Sequence, residues 1–141
     1  MPSDKPLDIQ NIFLNECRKE GTSVTLFLLK GIRLQGRIAG FDPFAVLVKR
    51  QGEEQLVYKH AISTIQGRLD GPIPEPSGEG EGLQDSFLSR LDGGAVSLFL
   101  TNGVRLHGRM MAHDRYCLLI EEAPGRIQLV YKHAMSTLEG A

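Results

Sequence analysis

The sequence predicts a mainly β protein in which two strongly bent, five-stranded small barrels lie in tandem, each behind a short helix, and assemble into a ring. The chain repeats itself, because residues 56–65 (LVYKHAISTI) return as residues 129–138 (LVYKHAMSTL). One duplication of this length indicates two copies of one small domain rather than an array of short repeats. Glycines inside a long predicted strand, Gly36 and Gly40 with Gly108 in the second copy, indicate bends or close backbone contacts that curve a sheet.

Each copy is predicted to begin with a helix, because apolar residues recur at helical spacing on one face. Asp8 is placed to cap the first helix and Gly21 to end it. Strands follow, with tight turns at Lys30-Gly31 and, in the second copy, at Asn102-Gly103, which is a strong hairpin signal. The predicted strands of the first copy are residues 23–29, 32–41, 44–49, 55–60 and 61–65.

A segment between the copies breaks the globular pattern. Residues 66–82 (QGRLDGPIPEPSGEGEG) are rich in Gly, Pro and Glu and hold few large apolar side chains, so we expect a flexible acidic linker there. The first domain is therefore predicted at residues 7–65 and the second at 83–138. A barrel of about 60 residues buries little surface and leaves strand edges exposed, which pairing between copies in a closed ring would cover.

Composition excludes several classes of protein. The net charge of −1 divides into +2 for residues 1–65, −3 for 66–82 and zero for 83–141, so no polybasic nucleic-acid coat is indicated. No apolar run is long enough for a membrane span, and no secretory signal is visible. The lone cysteines, Cys17 and Cys117, favour buried thiols in a reducing, cytoplasmic setting.

The sequence also lacks the common catalytic motifs, and no enzyme, cofactor or metal site is expected. His107 and His113 are the nearest approach to a ligand pair. They have no Cys or carboxylate partner at ligand spacing, so a metal site is disfavoured.

Two motifs, each present in both copies, carry a resemblance to a known family. They are Tyr-Lys-His-Ala-x-Ser-Thr at residues 58–64 and 131–137, and Gln-x-x-Phe-Leu at 10–14 and 84–88. Both copies resemble the bacterial Hfq branch of the Sm/LSm family. The resemblance implies Sm-like barrels in a ring that binds single-stranded RNA and helps small regulatory RNAs pair with mRNA targets. The family assembles six single-domain chains, so two domains per chain imply a homotrimer with six domains.

The resemblance implies a proximal face for U-rich RNA in each copy. An aromatic ring there would stack on a base, Gln would read a uracil edge, and Lys and His would donate to base or phosphate oxygens. The matching residues are Gln10, Phe44, Lys59 and His60, and in the second copy Gln84, Tyr116, Lys132 and His133. For any one of these alone, a core aromatic or a solvated histidine is the ordinary interpretation.

A distal face for A-rich RNA is implied as well, with rings and aliphatic side chains around adenines and Gln on an adenine edge. The matching residues of the first copy are Phe27, Lys30, Gly31, Ile32, Leu34, Gln35, Gln55 and Thr64. Those of the second are Phe99, Asn102, Gly103, Val104, Leu106, Gln128 and Thr137. Two positions depart from the family: Lys30 stands where Asn is preferred, and His107 stands where the first copy has Gln35.

The basic rim of the family is only partly present. Asn15, Arg18 and Lys19 match it in the first copy, whereas the second copy has Asp92 followed by two glycines in that region. Alternate rim positions would then lack positive charge, which predicts weaker strand annealing. The competing interpretation is an Sm-like ring that acts mainly as a protein scaffold with weakened RNA binding.

Overall fold

The computed structural model describes residues 9–70 and 83–140, and in this part each copy is one helix followed by five strands. The first copy contains α1 (Ile9–Glu20), β1 (Ser23–Leu28), β2 (Arg33–Phe41), β3 (Ala45–Arg50), β4 (Glu53–Tyr58) and β5 (Ile62–Arg68). The second contains α2 (Leu83–Leu91), β6 (Ala95–Leu100), β7 (Arg105–His113), β8 (Cys117–Ala123), β9 (Arg126–Tyr131) and β10 (Met135–Gly140). A turn of 3-10 helix, Lys59–Ala61 or Lys132–Ala134, precedes the last strand of each copy. The predicted fold class, mainly β with a helix before each of two repeats, is confirmed.

The strands of both copies form one ten-stranded antiparallel sheet in the order β10-β6-β7-β8-β9-β5-β1-β2-β3-β4. In each copy the fifth strand returns to pair with the first. The copies join where β5 pairs with β9, from Thr64 opposite Val130 to Arg68 opposite Arg126. We call this β5–β9 pairing the internal seam. It leaves β4 and β10 as the two outer strands of the described sheet.

Two strand glycines allow close packing of β2 on β3 and of β7 on β8. A Cβ on Gly36 would lie 2.8 Å from the carbonyl oxygen of Lys49, and one on Gly108 would lie 2.5 Å from that of Glu121. Real Cβ atoms do not approach backbone so closely, so only glycine allows β3 and β8 to pack against these positions. Gly40 has no such contact, since nothing lies within 4 Å of its Cβ position. It lies instead at a shift of the β2–β3 register.

The core of the first copy extends into the second. Phe13, Leu26 and Ile65 are fully buried in a cluster that also contains Leu129 and Tyr131 of β9. Each buried apolar side chain of this size contributes about 1.5–3 kcal/mol relative to its exposed state. Apolar packing therefore holds the internal seam together in addition to the backbone ladder.

The ends of the predicted elements shift where pairing decides them. Gly21 ends α1 with φ of 65°, as predicted, whereas Asp8 falls outside the described residues. Strand β5 continues to Arg68, into the predicted linker, because these residues pair with β9. The rest of the linker is described only as far as Asp70. Cys17 and Cys117 are buried, as predicted, and burial raises the pKa of the Cys17 thiol to about 12.

Candidate nucleic-acid interface

An aspartate two residues before each predicted stacking aromatic fixes the turn that presents it. Asp42 Oδ1 accepts hydrogen bonds from the backbone N–H groups of Phe44 and Ala45, both at 2.8 Å. Asp114 Oδ1 accepts the same bonds in the second copy, from Tyr116 at 2.8 Å and Cys117 at 2.7 Å. Such Asx turns are local, so the aspartate-to-aromatic spacing was the signal that the sequence analysis missed. The two backbone bonds lower the pKa of the Asp42 carboxyl below its usual range.

The Lys-His element is tied directly to this aromatic turn. The backbone N–H of Lys59 donates to the carbonyl of Phe44 at 2.9 Å, and that of Lys132 donates to the carbonyl of Tyr116 at 2.8 Å. Two residues that the sequence separates by a hairpin are thus adjacent in both copies. Phe44 and Tyr116 are 75% and 61% exposed, which is unusual for large rings and leaves their faces available for stacking.

Side chains cross the internal seam beside these turns. The Tyr131 hydroxyl donates to Gln10 Oε1 at 2.7 Å, which positions the amide at the start of α1. The ring of His133 stacks on that of Tyr131 at 5.2 Å between centroids, and its Nε2 lies 2.9 Å from the carbonyl oxygen of Ile62. The proximal-face residues Gln10 and His133, predicted in different copies, are therefore part of one junction.

A cavity of about 350 Å³ opens at this junction and combines residues of both copies. Its lining is Gln10, Asn11, Phe41, Asp42, Pro43 and Lys59 from the first copy and Tyr116 from the second. Lys59 is largely buried, and its Nζ lies 5.9 Å from the centroid of the Phe41 ring, at cation–π distance. The cavity thus offers an aromatic ring, an amide and an ammonium group, the set that could stack on a planar base and bond its edge.

The other proximal residues do not line this cavity. His60 is exposed and stacks on Tyr58 at 5.9 Å, on the outer strand β4. Gln84 is exposed on α2, and Lys132 and His133 lie on the second-copy turn. Equivalent proximal residues therefore meet across the internal seam. At the outer strands β4 and β10 they lie open, because no second copy faces them among the described residues.

The predicted distal residues cluster around the β1–β2 and β6–β7 turns. Gly31 and Gly103 adopt φ of 89° and 88°, a conformation that favours glycine. The next residues, Ile32 and Val104, are exposed although apolar. Asn102 Oδ1 accepts a bond from the Val104 N–H at 3.0 Å, a role that a lysine cannot fill. Seven further residues of the predicted distal set are partly or fully exposed on the strands and turns: Phe27, Lys30, Leu34, Gln35, Gln55, Phe99 and Thr137.

The remaining distal residues are buried, two of them at the internal seam. Thr64 lies opposite Phe27 on β1 and Val130 on β9, and it is buried. Gln128 is buried too; its Nε2 donates to Glu122 Oε1 at 3.0 Å, while its Oε1 has no partner among the described residues. Leu106 is likewise buried, in the core of the second copy.

His107, one of the two departures from the family pattern, and His113 have different partners. His107 Nδ1 lies 2.9 Å from the Ser97 hydroxyl, so it is held against β6. His113 is paired instead with Asp92, 3.4 Å away, at the end of β7. Burial raises the pKa of the Asp92 carboxyl, against an opposing effect from His113. Within residues 9–70 and 83–140 no group of three or more His, Cys, Asp or Glu is arranged to hold a metal.

The predicted rim residues lie on the last turns of α1 and are engaged locally. Arg18 Nη2 donates to Asn15 Oδ1 at 2.6 Å, and Lys19 Nζ lies 3.4 Å from a Glu16 carboxylate oxygen. Both cations are exposed. Helix α2 ends at Leu91 and carries only Arg90 in its last turn. Among the described helices, none is long and apolar enough to cross a membrane.

Comparison with known proteins identifies the family. The family model described as Hfq protein matches residues 9–70 and again residues 83–141. The RNA-binding protein Hfq of Bacillus subtilis (strain 168) is 58% identical over 61 residues, which cover 43% of this chain and 84% of that protein. The RNA-binding protein Hfq of Caulobacter vibrioides (strain NA1000 / CB15N) is 46% identical over 81 residues, 57% of this chain and 99% of that protein.

A solved structure of the pleiotropic translational regulator Hfq is 40% identical and covers 41% of this chain and 97% of its own, with a TM-score of 0.40. The family match extends over both repeats and leaves out only the N-terminal residues and most of the linker. This chain therefore belongs to the Hfq family and carries two domains of that family in tandem.

Proposed function

We propose that the protein is a non-enzymatic, cytoplasmic RNA-binding chaperone that promotes the pairing of small RNAs with mRNAs in post-transcriptional regulation. The observation that carries this proposal is the cavity at the internal seam, where Gln10, Lys59 and Tyr116 meet. A uracil stacked on the ring would be read by the amide and the ammonium group. The relatives of this chain described above are named RNA-binding proteins, which supports the same conclusion.

The second RNA surface in this proposal is the distal one. Phe27 and Phe99 stand beside exposed aliphatic residues at the two glycine turns, an arrangement suited to sandwiching adenines. Stacking of this kind contributes on the order of 1–3 kcal/mol per base. His107, held by Ser97, replaces Gln35 in the second copy, so the two distal half-sites would differ in preference.

The proposed assembly is a six-domain ring of three chains, and the exposed side chains of the outer strand β4 support it. Tyr58 is 53% exposed on β4, whereas its equivalent Tyr131 is 3% exposed in the internal seam. Leu56 and Leu129 differ in the same way, at 53% and 0%. Pairing β4 with β10 of another chain would cover these side chains as β5 covers β9, and it would complete further cavities between chains.

RNA binding is tested with U-rich and A-rich oligonucleotides titrated over a range of salt. We expect Lys59→Ala with Lys132→Ala to weaken U-rich binding selectively, and Phe27→Ala with Phe99→Ala to weaken A-rich binding selectively. Each pair serves as the control for the other, because both leave the opposite surface intact. Absence of binding to either RNA at low salt would favour the scaffold function instead.

The assembly is tested by native mass spectrometry of the full chain. The expected species contains three chains. Monomers, or complexes of six chains, would overturn the six-domain ring without bearing on whether the seam cavity binds RNA.

A further inference from the structure

The carboxylate of Glu122 holds the amide of Gln128, a distal residue that is buried at the internal seam. Gln128 Nε2 donates to Glu122 Oε1 at 3.0 Å. An ionised carboxylate only accepts hydrogen bonds, so the amide nitrogen must face it and the amide cannot turn over. Gln128 Oε1 is thereby left as a buried acceptor without a partner among the described residues, on a side chain that is 5% exposed. Buried acceptors in proteins are nearly always satisfied, so this oxygen indicates a donor that comes from outside the chain.

The β8–β9 hairpin directs Glu122 toward this amide because it is one residue longer than the β3–β4 hairpin of the first copy. Lys49 pairs with Glu54, five positions further on, whereas Glu121 pairs with Ile127, six positions further on. The register shifts directly after the second of these pairs, so Glu122 lies at a β-bulge. A bulge turns a side chain away from the direction that a regular pleat would give it. The contact with the amide therefore belongs to the second copy alone.

The first copy has a different residue at the position of Glu122, and its distal glutamine is not held in this way. Arg50 stands there, and a guanidinium has no acceptor with which to hold the amide nitrogen of Gln55. Gln55 is exposed and lines a cavity of about 530 Å³ beside Leu34, another distal residue. The cavity shows that the barrel leaves room for a ligand next to this glutamine where no facing strand covers it. Residue 50 does not determine which end of the Gln55 amide faces that ligand.

We propose that Glu122 is a positioning residue that makes the distal half-site of the second domain selective for adenine. Adenine presents the N6 amino group as a donor and N7 beside it as an acceptor. Because Glu122 takes only one N–H of the amide, Gln128 can offer Oε1 to the amino group and its second N–H to N7. Guanine presents two acceptors along the same edge, so the fixed Oε1 would face O6 and disfavour guanine. The inference rests on the proposed binding of A-rich RNA, and it assigns the sharper discrimination to the second domain of each chain.

A base reaches this amide only when a neighbouring side chain moves aside, because Gln128 is buried in the free chain. Arg126 is well placed to move, since it lies two residues away on the same face of β9. Its Nε lies 4.0 Å from Glu122 Oε1, and its side chain is 59% exposed. An exposed ion pair at this distance contributes little stability, so the guanidinium can turn into solvent at small cost. Glu122 would keep its bond to the amide during this movement.

The test uses the full chain with Gln55→Ala as the parent, so that only the distal glutamines of the second domain read a base. Two RNAs of equal length are titrated. One is A-rich, and in the other every adenine is replaced by purine, which lacks the amino group. Both bases present the same fused ring for stacking, so the ratio of the two affinities measures the bond to the amino group.

Three substitutions are compared in this parent. Glu122→Ala removes the acceptor, and Glu122→Gln keeps an acceptor oxygen but removes the charge. Glu121→Ala is the matched control, because it removes the neighbouring carboxylate, which bonds Arg109. Binding of a U-rich oligonucleotide to the proximal surface is measured in each variant and should stay unchanged, which verifies the fold.

We expect the parent to bind the adenine RNA about tenfold more tightly than the purine RNA, within the range of one base-edge contact. Glu122→Ala should reduce this ratio to about twofold, because the amide can then turn either end toward the base. Glu122→Gln and Glu121→Ala should keep the ratio of the parent. An unchanged ratio in Glu122→Ala would overturn the proposal, and so would equal loss in both Glu122 variants, which would show an effect of charge. A ratio that rises in Glu122→Ala would also overturn it, because Glu122 would then compete with the base.

Two outcomes separate this proposal from the proposed function. Wild-type chain that binds neither U-rich nor A-rich RNA would refute the RNA function, and the role of Glu122 with it. Wild-type chain that binds A-rich RNA, with a parent that binds the adenine and purine RNAs equally, would refute the role of Glu122 alone.

Discussion

At the scale of single residues, Asp42 determines how Phe44 is presented. Replacing Asp42 with Ala removes the acceptor for two backbone N–H groups and leaves the turn free to vary. We expect U-rich binding to weaken about threefold to tenfold, because part of the stacking free energy would then go into ordering the ring. Isothermal titration with a short U-rich oligonucleotide measures this loss.

Asp42→Asn is the control, because an amide oxygen also accepts these bonds, and it should bind nearly as the wild type does. The lowered pKa of Asp42 gives the pH dependence its sign. Its contribution to the turn is fully present above the ordinary carboxyl range and is lost only as pH falls through the lower folded value. Loss of the turn at pH 5 to 7 would contradict this assignment.

At the scale of the elements, two glycines of β2 have different structural reasons. Gly36 is required by close packing against β3, whereas Gly40 lies at a register shift. Gly36→Ala would place a Cβ 2.8 Å from a carbonyl oxygen and from a Val48 methyl, so β3 would have to move away. We expect a loss of about 1–3 kcal/mol in the free energy of unfolding, as for other overpacked sites. Gly40→Ala meets open space without positive φ and should change stability by less than 1 kcal/mol in either direction.

Urea denaturation of both variants and of the wild type measures these differences. Equal destabilisation by both substitutions would show that backbone freedom in β2, and not the close approach of β3, explains the glycines.

The sequence was sufficient for those features that depend on short stretches of chain. The repeat, the helix ending at Gly21 and the glycine turns follow from local spacing, and the structure confirms them. The contact between Gln10 and Tyr131 joins residues 121 positions apart, and it exists only because β5 pairs with β9. No local pattern encodes which edge a strand chooses, so the shared cavity and the burial of Thr64 could not be predicted.

At the scale of the whole molecule, the equivalent residues Tyr131 and Tyr58 lie at two different interfaces. Tyr131 lies in the internal seam and bonds Gln10, whereas Tyr58 is exposed on β4. Tyr131→Phe should lower the free energy of unfolding by about 1 kcal/mol, the typical net value of one hydrogen bond, and more if Gln10 stays unpaired. Tyr58→Phe should leave unfolding of the isolated chain unchanged and weaken association between chains.

Chemical denaturation at low protein concentration and sedimentation at rising concentration distinguish the two effects. If Tyr58→Phe altered neither measurement, β4 would not form the interface between chains that we propose.

The proposed interface between chains is more acidic than the internal seam. Its strength should therefore change with salt in the opposite direction to RNA binding. Gln66 lies opposite Gln128 in the internal seam, next to Ile127. At the equivalent positions of the outer strands stand Glu139, Gln55 and Glu54, so β10 of one chain would bring a carboxylate to an already acidic edge of the next. Like charges across a ladder oppose pairing by a few tenths to about 1 kcal/mol at each interface.

Salt screens this repulsion, so association between chains should strengthen from 50 to 300 mM salt, while RNA binding weakens over the same range. Glu139→Gln, which restores the residue of the internal seam, should tighten association severalfold and reduce its salt dependence. Glu20→Gln, an equal charge change at the exposed end of α1, should do neither. Sedimentation of the three proteins without RNA measures this, and association that weakens with salt in the wild type would contradict an acidic interface. The internal seam and the proposed seam between chains share one backbone geometry, but only the seam between chains brings carboxylates together, since the ladder of the internal seam holds Gln66 opposite Gln128 and Arg68 opposite Arg126. At low salt this repulsion would favour opening of the ring between chains while the two domains of each chain stay joined.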